Sequence, residues 1–282
     1  MSTLHVGGRG RPAGTVGRYA ALSCYLVFLG FPLLWLAVTA LKSARDIAIG
    51  GLLPTSPTLA NFADAVRSAG LLRATANSAQ VAVTTTAVVV VIALPAAYAL
   101  ARFRTRLRSA AIGWILVSQV FPVILVVLPL FLILRQFHLV NSLVGLTIVY
   151  SVYSLPFALW MLQGYIAGVP RDLEEAGAVD GAGRIRVLVS IVLPILRPGI
   201  VAAAMFTLIS AWNEFFFALV LIQDPDRVTL PLALAKFVGA EGQVRLGVLA
   251  AASLLATVPS LAFFAIIQRR LTSGLLSGAV KG

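Results

Sequence analysis

Residues 169–198 read VPRDLEEAGAVDGAGRIRVLVSIVLPILRP, the longest polar interruption in the C-terminal half of a very apolar sequence. Pro170 suits the first turn of a helix, where its missing N–H costs nothing. The acidic residues that follow suit the positive end of the helix dipole: Asp172, Glu174 and Glu175. Gly181 can end this helix, because glycine accepts the left-handed conformation of a C-terminal cap. A second short helical run follows, which Pro194 and Pro198 are expected to break. The stretch therefore predicts a helix, a glycine turn and a second helix, outside the hydrocarbon between two membrane spans.

The composition identifies the class of protein. Of the 282 residues, 60% are hydrophobic and 11% are charged, whereas a soluble domain has roughly 25% charged residues. The net charge of +12 could suggest a nucleic-acid partner. The arginines, however, sit at the ends of the apolar runs, which is typical of membrane orientation. The composition therefore favours an integral protein of the lipid bilayer and excludes nucleic-acid binding.

Six apolar runs are long enough to cross a bilayer as helices, which predicts an all-α, polytopic membrane fold. The predicted spans are residues 19–41, 77–101, 110–134, 142–162, 199–222 and 246–267. Together they form one membrane domain over 19–267, which includes the loop 169–198. A disordered tail is expected over 1–18 and a second tail over 268–282.

Six spans place both termini on one side of the membrane. Lys and Arg are more frequent in the tails and loops of that side, most clearly in the arginine cluster at 102–108. By the positive-inside rule, both tails and the loop 169–198 are expected in the cytoplasm. The polar stretch 42–76 is expected across the outer face, and Phe137–Asn141 is expected to form a tight outer turn. Pro122 and Pro129 are expected to kink the third span.

The sequence offers no site for chemistry of its own. A phosphate-binding P-loop needs a lysine between Gly and Ser or Thr, and Lys42, Lys236 and Lys281 follow Leu, Ala and Val. The two histidines, His5 and His138, lie in a tail and an outer turn, too isolated for a metal site. We therefore expect no catalytic residue and no metal ligand. Uphill transport would then need a coupled energy source outside this chain.

The spacing within the loop is specific. Glu175-Ala176-Gly177 is followed after three residues by Gly181, and after nine more by Ile191-Val192-Leu193-Pro194. This closely resembles the cytoplasmic EAA loop of ABC importer permeases, whose pattern is E-A-A, three residues, G, nine residues and I-x-L-P. Gly177 is the departure, because the family usually has a second alanine there. A glycine inside the helix is expected to loosen it by up to about 1 kcal/mol.

The resemblance implies the type I ABC importer permease fold, a plasma-membrane location and alternating access. It implies four partners besides the lipid bilayer: a second, different permease, two ATPase subunits and an extracytoplasmic solute-binding protein. No cofactor is expected in this chain, since ATP and Mg would be bound by the ATPase subunits. In that family the loop docks into a cleft of the ATPase, which assigns coupling to Glu175, Ala176, Gly177, Asp180 and Gly181. Glu175 would either bond to polar groups of the loop or cleft, or pair locally, for instance with Arg184.

Two further stretches narrow the resemblance. Ala211-Trp212-Asn213-Glu214-Phe215 looks like the W-N-E-F signature of carbohydrate-type permeases, and the C-terminus resembles the tail of the second permease of the maltose type. The solute implied is a sugar or oligosaccharide. In that family the tail reaches toward the ATPase dimer interface, which implies this role for Gly278, Ala279, Val280, Lys281 and Gly282.

Glu214 is informative without the resemblance, because an ionisable residue inside a span is costly and usually faces a partner or a water-filled cavity. On a continuous helix, Glu214 would lie about 12 Å from the outer end of its span, with Trp212 and Phe216 as near neighbours. Aromatic faces suit sugar rings, so Trp212, Asn213, Glu214 and Phe216 are candidates for the translocation pathway. The alternative is that Glu214 is a packing residue, neutral or paired, bonded to the neighbouring permease.

Other functions remain open from the sequence. The same ABC architecture could carry an amino sugar, a polyol or a glycerol phosphodiester, because the binding protein sets much of the selectivity. An ion-coupled secondary carrier would need a coupling-ion site, for which Glu214 is the candidate. A passive channel or a membrane scaffold would show no dependence on ATP.

Overall fold

The computed structural model describes residues 12–68, 70–103, 106–238 and 245–279. Within these ranges the chain is mainly α-helical. The helices are α1 Pro12–Ala40, α2 Ala44–Ile49, α3 Ala60–Ser68, α4 Leu71–Arg102, α5 Arg106–Val120, α6 Val123–Gln136, α7 Leu143–Ala167, α8 Arg171–Val179, α9 Arg184–Val187, α10 Leu193–Ile195, α11 Arg197–Asn213, α12 Phe216–Leu221, α13 Leu230–Ala235 and α14 Leu246–Ala279. A π-helical turn, Leu188–Val192, joins α9 to α10, and a 3-10 turn lies at Pro225–Arg227.

Among the described residues, four helices are long and apolar enough to cross a membrane: Gly17–Ala40 of α1, α4, α7, and Leu246–Ala265 of α14. Two bent pairs of helices are also long and apolar enough when each pair is taken together: α5 with α6, and the helix 184–195 with α11. If each bent pair is one span, the described residues hold six spans. The expected all-α membrane fold is therefore confirmed, and a turn lies at 137–141 as predicted, with positive φ at His138 and Asn141.

The third span is broken rather than kinked. α5 ends at Val120, α6 begins at Val123, and their axes differ by 103°. Pro122 precedes α6 in an extended conformation (φ −63°, ψ 121°), and the residue before a proline is itself disfavoured in the α conformation. Pro129 lies inside α6 without ending it.

The second helix of the loop also differs from the prediction. It runs from Arg184 to Ile195 and passes Pro194, which comes just after the π-helical turn Leu188–Val192. The prediction that Pro194 breaks this run was wrong. The break falls at Leu196, where the axis turns by 76° into α11, and Pro198 lies in the first turn of α11.

Helical structure extends beyond the predicted boundaries at three places. α1 begins at Pro12, inside the range 1–18 that was expected to be a disordered tail, while residues 1–11 lie outside the described part. α4 begins at Leu71 rather than at residue 77. α14 continues to Ala279, so most of the range 268–282 is helix, and residues 280–282 lie outside the description.

α4, α7 and α11 pack closely at the centre of the bundle, because their facing surfaces carry small residues. The fully or almost fully buried small residues are Ala82, Ala93, Ala97, Ala158 and Ala203. A Cβ at Gly199 of α11 would overlap the ring of Tyr165 on α7, so this approach requires glycine. Val187, Val192 and Leu196 join the inner part of this core. The helix 184–195 is therefore anchored in the bundle.

The segment after α1 is organised around the carboxylate of Asp46 in α2. This carboxylate accepts hydrogen bonds from the hydroxyls of Thr55 and Ser43, the latter at 2.9 Å, and from the backbone N–H of Ser56 at 3.4 Å. These donors, the Thr55 hydroxyl foremost, lower the pKa of Asp46 to about 2, although burial acts in the opposite direction. The segment is therefore held by an ionised carboxylate.

We predict that acid opens this segment. Because the pKa of Asp46 is lower in the folded chain than the ordinary value of 3.8, its stabilisation is complete above about pH 4 and is lost as the pH falls through about 2. Pepsin should cleave within residues 42–58 of the purified protein at pH 2 but not at pH 4. Asp46→Asn should be cleaved at both pH values, and equal protection of both proteins at pH 4 would contradict this account.

Candidate functional site

The loop helix α8 ends in a glycine cap. Gly181 has a φ of +80°, which glycine adopts without strain. The N–H of Ala182 donates to the carbonyl of Gly177 at 3.0 Å, and the N–H of Gly181 donates to the carbonyl of Ala178 at 3.1 Å. These two bonds form a Schellman motif. The predicted helix, glycine turn and helix are therefore confirmed, with Pro170 at the N-cap of α8 rather than inside its first turn.

Gly177 lies where α8 meets the second helix of the loop. It is buried, and a Cβ at this position would overlap the Cδ1 of Ile191 and contact the side chain of Val187. The departure from the EAA pattern thus has a local physical reason, because the glycine makes room for Ile191. The expectation of a looser α8 overlooked this packing.

The tip of the loop exposes apolar side chains on both sides of the glycine turn. Val179 is 87% exposed and Ile185 is 79% exposed. Glu175, Ala176 and Asp180 are also exposed. We call Glu175, Ala176, Val179, Asp180 and Ile185 the tip surface. Arg184, Arg186 and Val189 lie beside it and line a shallow groove with Ile185.

A buried ion pair fixes the base of α8. The Glu174 carboxylate lies 2.6 Å from the guanidinium of Arg102 at the end of α4, and their side chains are only 13% and 9% exposed. The Tyr98 hydroxyl donates to the same carboxylate at 2.7 Å. The guanidinium also donates to the carbonyl of Val169 at 2.9 Å. α8 is thereby tied to α4 and to the end of α7.

Glu174 makes this ion pair, although the sequence indicated it only as one of the acids at the positive end of the helix dipole. Glu175, to which the resemblance assigned coupling, is exposed and, among the described residues, makes no ion pair with Arg184. The guanidinium of Arg184 instead lies 5.6 Å from the ring of Phe103. Helical spacing could have distinguished the two acids, because Glu174 is three residues before the buried Gly177 and shares its face.

The fifth span is interrupted at Glu214, which corrects the assumption of one continuous helix. α11 ends at Asn213, and Glu214 has an extended backbone (φ −70°, ψ 126°). Its carboxylate accepts the backbone N–H of Phe217 at 2.9 Å and that of Ala218 at 3.4 Å. The Tyr150 hydroxyl donates to the carbonyl of Glu214 at 3.4 Å. Glu214 therefore provides the hydrogen-bond partners that the break would otherwise lack.

The structure separates the four pathway candidates. Glu214 and Phe216 line a groove of about 380 Å³ together with Val123, Ile124, Tyr153 and Phe217. Trp212 is 4% exposed, and its ring packs edge-on against Phe263 at 5.6 Å, so it belongs to the core rather than to the groove. Asn213 is exposed, and its amide donates to the carbonyl of Ile209 at 2.9 Å.

The structure describes part of the C-terminal residues that were assigned to the ATPase contact. Gly278 and Ala279 belong to α14, whereas Val280, Lys281 and Gly282 lie outside the described residues. In the described part of the chain, no three His, Cys, Asp or Glu side chains come together as a metal site would require.

Comparison with known proteins identifies close relatives. Residues 89–275 match the family model described as "Binding-protein-dependent transport system inner membrane component". The chain is 57% identical over 229 residues to the "Putative ABC transporter permease protein ORF1" of Streptomyces antibioticus, covering 81% of this chain and all of that protein.

Two further relatives carry solute names. The chain is 36% identical to the "Sulfoquinovosyl glycerol transport system permease protein SmoH" of Agrobacterium fabrum, covering 94% of this chain and 93% of that one. It is 36% identical to the "Diacetylchitobiose uptake system permease protein DasC" of Streptomyces coelicolor, covering 93% of this chain and 96% of that one.

The fold also matches a solved structure. One chain of a bacterial ABC transporter involved in the import of alginate superposes with a TM-score of 0.77 at 19% identity. The match covers 94% of this chain and 99% of that one.

The contact between Gly177 and Ile191 gives a testable prediction. Gly177→Ala should lower the thermal stability of the purified protein by about 1–3 kcal/mol, because the added methyl group overpacks the contact. Ile191→Val removes the obstructing Cδ1, so the double variant Gly177→Ala/Ile191→Val should recover part of the lost stability. Thermal unfolding of the four proteins measures the coupling, and additive effects would contradict the proposed packing.

The cap at Glu214 gives a second prediction. Glu214→Ala should destabilise α12 by about 1 kcal/mol, because two backbone N–H groups lose their acceptor. Hydrogen exchange of the Phe217 and Ala218 amides should become faster, whereas Glu214→Gln should keep intermediate protection. Unchanged exchange in Glu214→Ala would show that the carboxylate does not cap this helix.

Proposed function

The chain belongs to the family of binding-protein-dependent transport system inner membrane components, and on this premise we propose that it is the permease subunit of an ATP-driven importer for a sugar or oligosaccharide. The named relatives transport a sulfoquinovosyl glycerol and diacetylchitobiose, both of which contain sugar rings. The exposed Tyr153 and the partly exposed Phe216 in the groove beside Glu214 offer ring surfaces that suit the apolar faces of a sugar. A glycerol-containing glycoside is one member of this solute class.

The observation that carries the proposal is the tip surface on an anchored helix. Val179 and Ile185 expose apolar area at the tip of the loop, which in the proposed cytoplasmic location favours a contact with another protein. The ion pair with Arg102 and the Schellman motif hold α8 in place, so a partner's motion would act on the bundle. The proposed partner at this surface is an ATPase subunit, which Glu175, Ala176 and Asp180 would contact. Gly181 in the turn and the buried Gly177 behind α8 would position these residues.

The remaining subunits follow from this assignment. ATP and Mg would be bound by two ATPase subunits, because the lysines of this chain do not fit a P-loop. A second permease would pair with this one, and a solute-binding protein would dock on the outer face. The C-terminal residues 278–282 would extend toward the ATPase dimer.

The proposed orientation places the loop and both termini in the cytoplasm. Arginines with exposed side chains surround the loop and the start of α11: Arg171, Arg184, Arg186 and Arg197. This distribution supports the orientation by the positive-inside rule. Closure of the ATPases would draw the tip surfaces of the two permeases together and open the pathway outward, and hydrolysis would reset it.

Substitution at the tip surface tests this function. Val179→Asp and Ile185→Asp should each abolish co-purification of the co-expressed ATPase subunits, because a charge would replace an apolar contact. Leu52→Asp is a matched control, because Leu52 is 72% exposed and lies on the opposite side of the membrane in this topology. Normal co-purification with both tip variants, at normal levels in the membrane, would contradict the ATPase contact.

A further inference from the structure

α4 is continuous from Leu71 to Arg102, without a break at Pro95. At 1.5 Å per residue, its length is about 48 Å, enough to reach from one face of the bilayer to the other. Its bonds to the loops lie at its two ends. In the proposed topology, α4 therefore joins a loop on one face of the membrane to a loop on the other.

The inner end of α4 holds the loop helix. Arg102 and Tyr98 bind the Glu174 carboxylate of α8, and Arg102 also binds the carbonyl of Val169. Because the ion pair is largely buried, water does not screen it as it would a surface pair. A displacement of α8 would therefore be transmitted to α4.

The outer end of α4 holds the loop between α12 and α13. The Asn77 amide donates to the carbonyls of Asp226 and Val228, both at 3.0 Å. The buried Ser78 hydroxyl accepts the N–H of Leu230 at 2.8 Å. Arg73 also pairs with Asp226 at 2.6 Å, but both side chains are well exposed, so this pair contributes little.

Two other routes join the same two loops. α7 ends next to α8, but at its other end the bonds to residues 221–224 are made by Asn141, which lies in the turn before the helix and has a positive φ. The fifth span joins them covalently, yet it turns by 76° at Leu196 and is interrupted at Glu214. Such breaks can absorb motion by local changes in backbone angles. α4 has no such interruption, and residues within the helix itself bond to both loops.

We propose that α4 is the mechanical link between the ATPase-facing loop and the outer loop 224–230, with Arg102, Glu174 and Asn77 as its positioning residues. This inference rests on the proposed function. ATP-driven movement of α8 pulls the inner end of α4, and the outer end moves loop 224–230 on the face where the binding protein would dock.

The test uses the full complex and a cysteine in the outer loop. In a Cys24→Ser background, Gln223→Cys places a thiol beside the loop, and its maleimide labelling rate is measured before and after trapping with ATP, Mg²⁺ and vanadate. Trapping should change this rate about fivefold or more, the usual lower range of coupling between sites. Asn77→Leu, far from the tip surface, should abolish most of this change although the ATPases still co-purify and are trapped. Glu174→Gln should abolish most of it in the complexes that assemble and are trapped.

Further variants separate linkage from damage. Combining Arg102→Glu with Glu174→Arg should recover part of the response, and Tyr98→Phe, which removes one hydrogen bond, gives a milder loss if Glu174→Gln does not fold. Arg67→Gln, an exposed charge on α3, is the control and should respond like the parent protein. If both anchors act through α4, the double variant Glu174→Gln/Asn77→Leu should lose no more of the labelling change than the stronger single variant does.

The outcomes distinguish the two proposals. Absence of ATPase co-purification with the parent protein would contradict the proposed function itself. Two results, each with normal co-purification and trapping, would overturn the α4 link alone. One is a full labelling change in the anchor variants. The other is a double variant that loses more of the labelling change than the stronger single variant.

Discussion

The ion pair between Arg102 and Glu174 determines how the loop is presented. Taking two charges out of water costs several kcal/mol for each ion unless good partners replace the water. Here the carboxylate receives the guanidinium and the Tyr98 hydroxyl, while the guanidinium also binds the Val169 carbonyl. These bonds meet at one point, so the orientation of α8 is fixed relative to α4 and α7. The exposed tip surface follows from this, because the face of α8 opposite the ion pair has nowhere to pack within the chain.

The membrane imposes the second constraint, since hydrocarbon offers no partner for a free backbone N–H or C=O. Continuous helices satisfy this requirement by themselves, and the interrupted fifth span satisfies it with side chains. Glu214 accepts two N–H groups of α12, and Tyr150 donates to the free carbonyl at the break. An acidic residue inside the span is thus stabilised by the irregularity that it caps. Interruptions of this kind line substrate pathways in other transporters, which is consistent with the groove beside Glu214.

The sequence predicted the all-α fold, the spans and the glycine-terminated loop helix, because length, hydropathy and cap chemistry are local properties. It did not predict which prolines end a helix: Pro194 is tolerated after a π-helical turn, whereas the chain breaks before Pro122. It selected Glu175 rather than Glu174, because the partner Arg102 lies 72 residues away along the chain. It placed Trp212 beside Phe216 on one helix, since a break capped by a carboxylate leaves no signal in hydropathy. Tertiary contacts decide each of these points.

The central claim is that the tip surface contacts an ATPase subunit. Incorporating a photo-activated cross-linking amino acid at Val179 tests it most directly, in membranes that hold the co-expressed importer subunits. We expect a cross-link to the ATPase subunit from Val179 and none from Leu52, which is also well exposed. A cross-link from Val179 only to lipid or to another permease would contradict the claim.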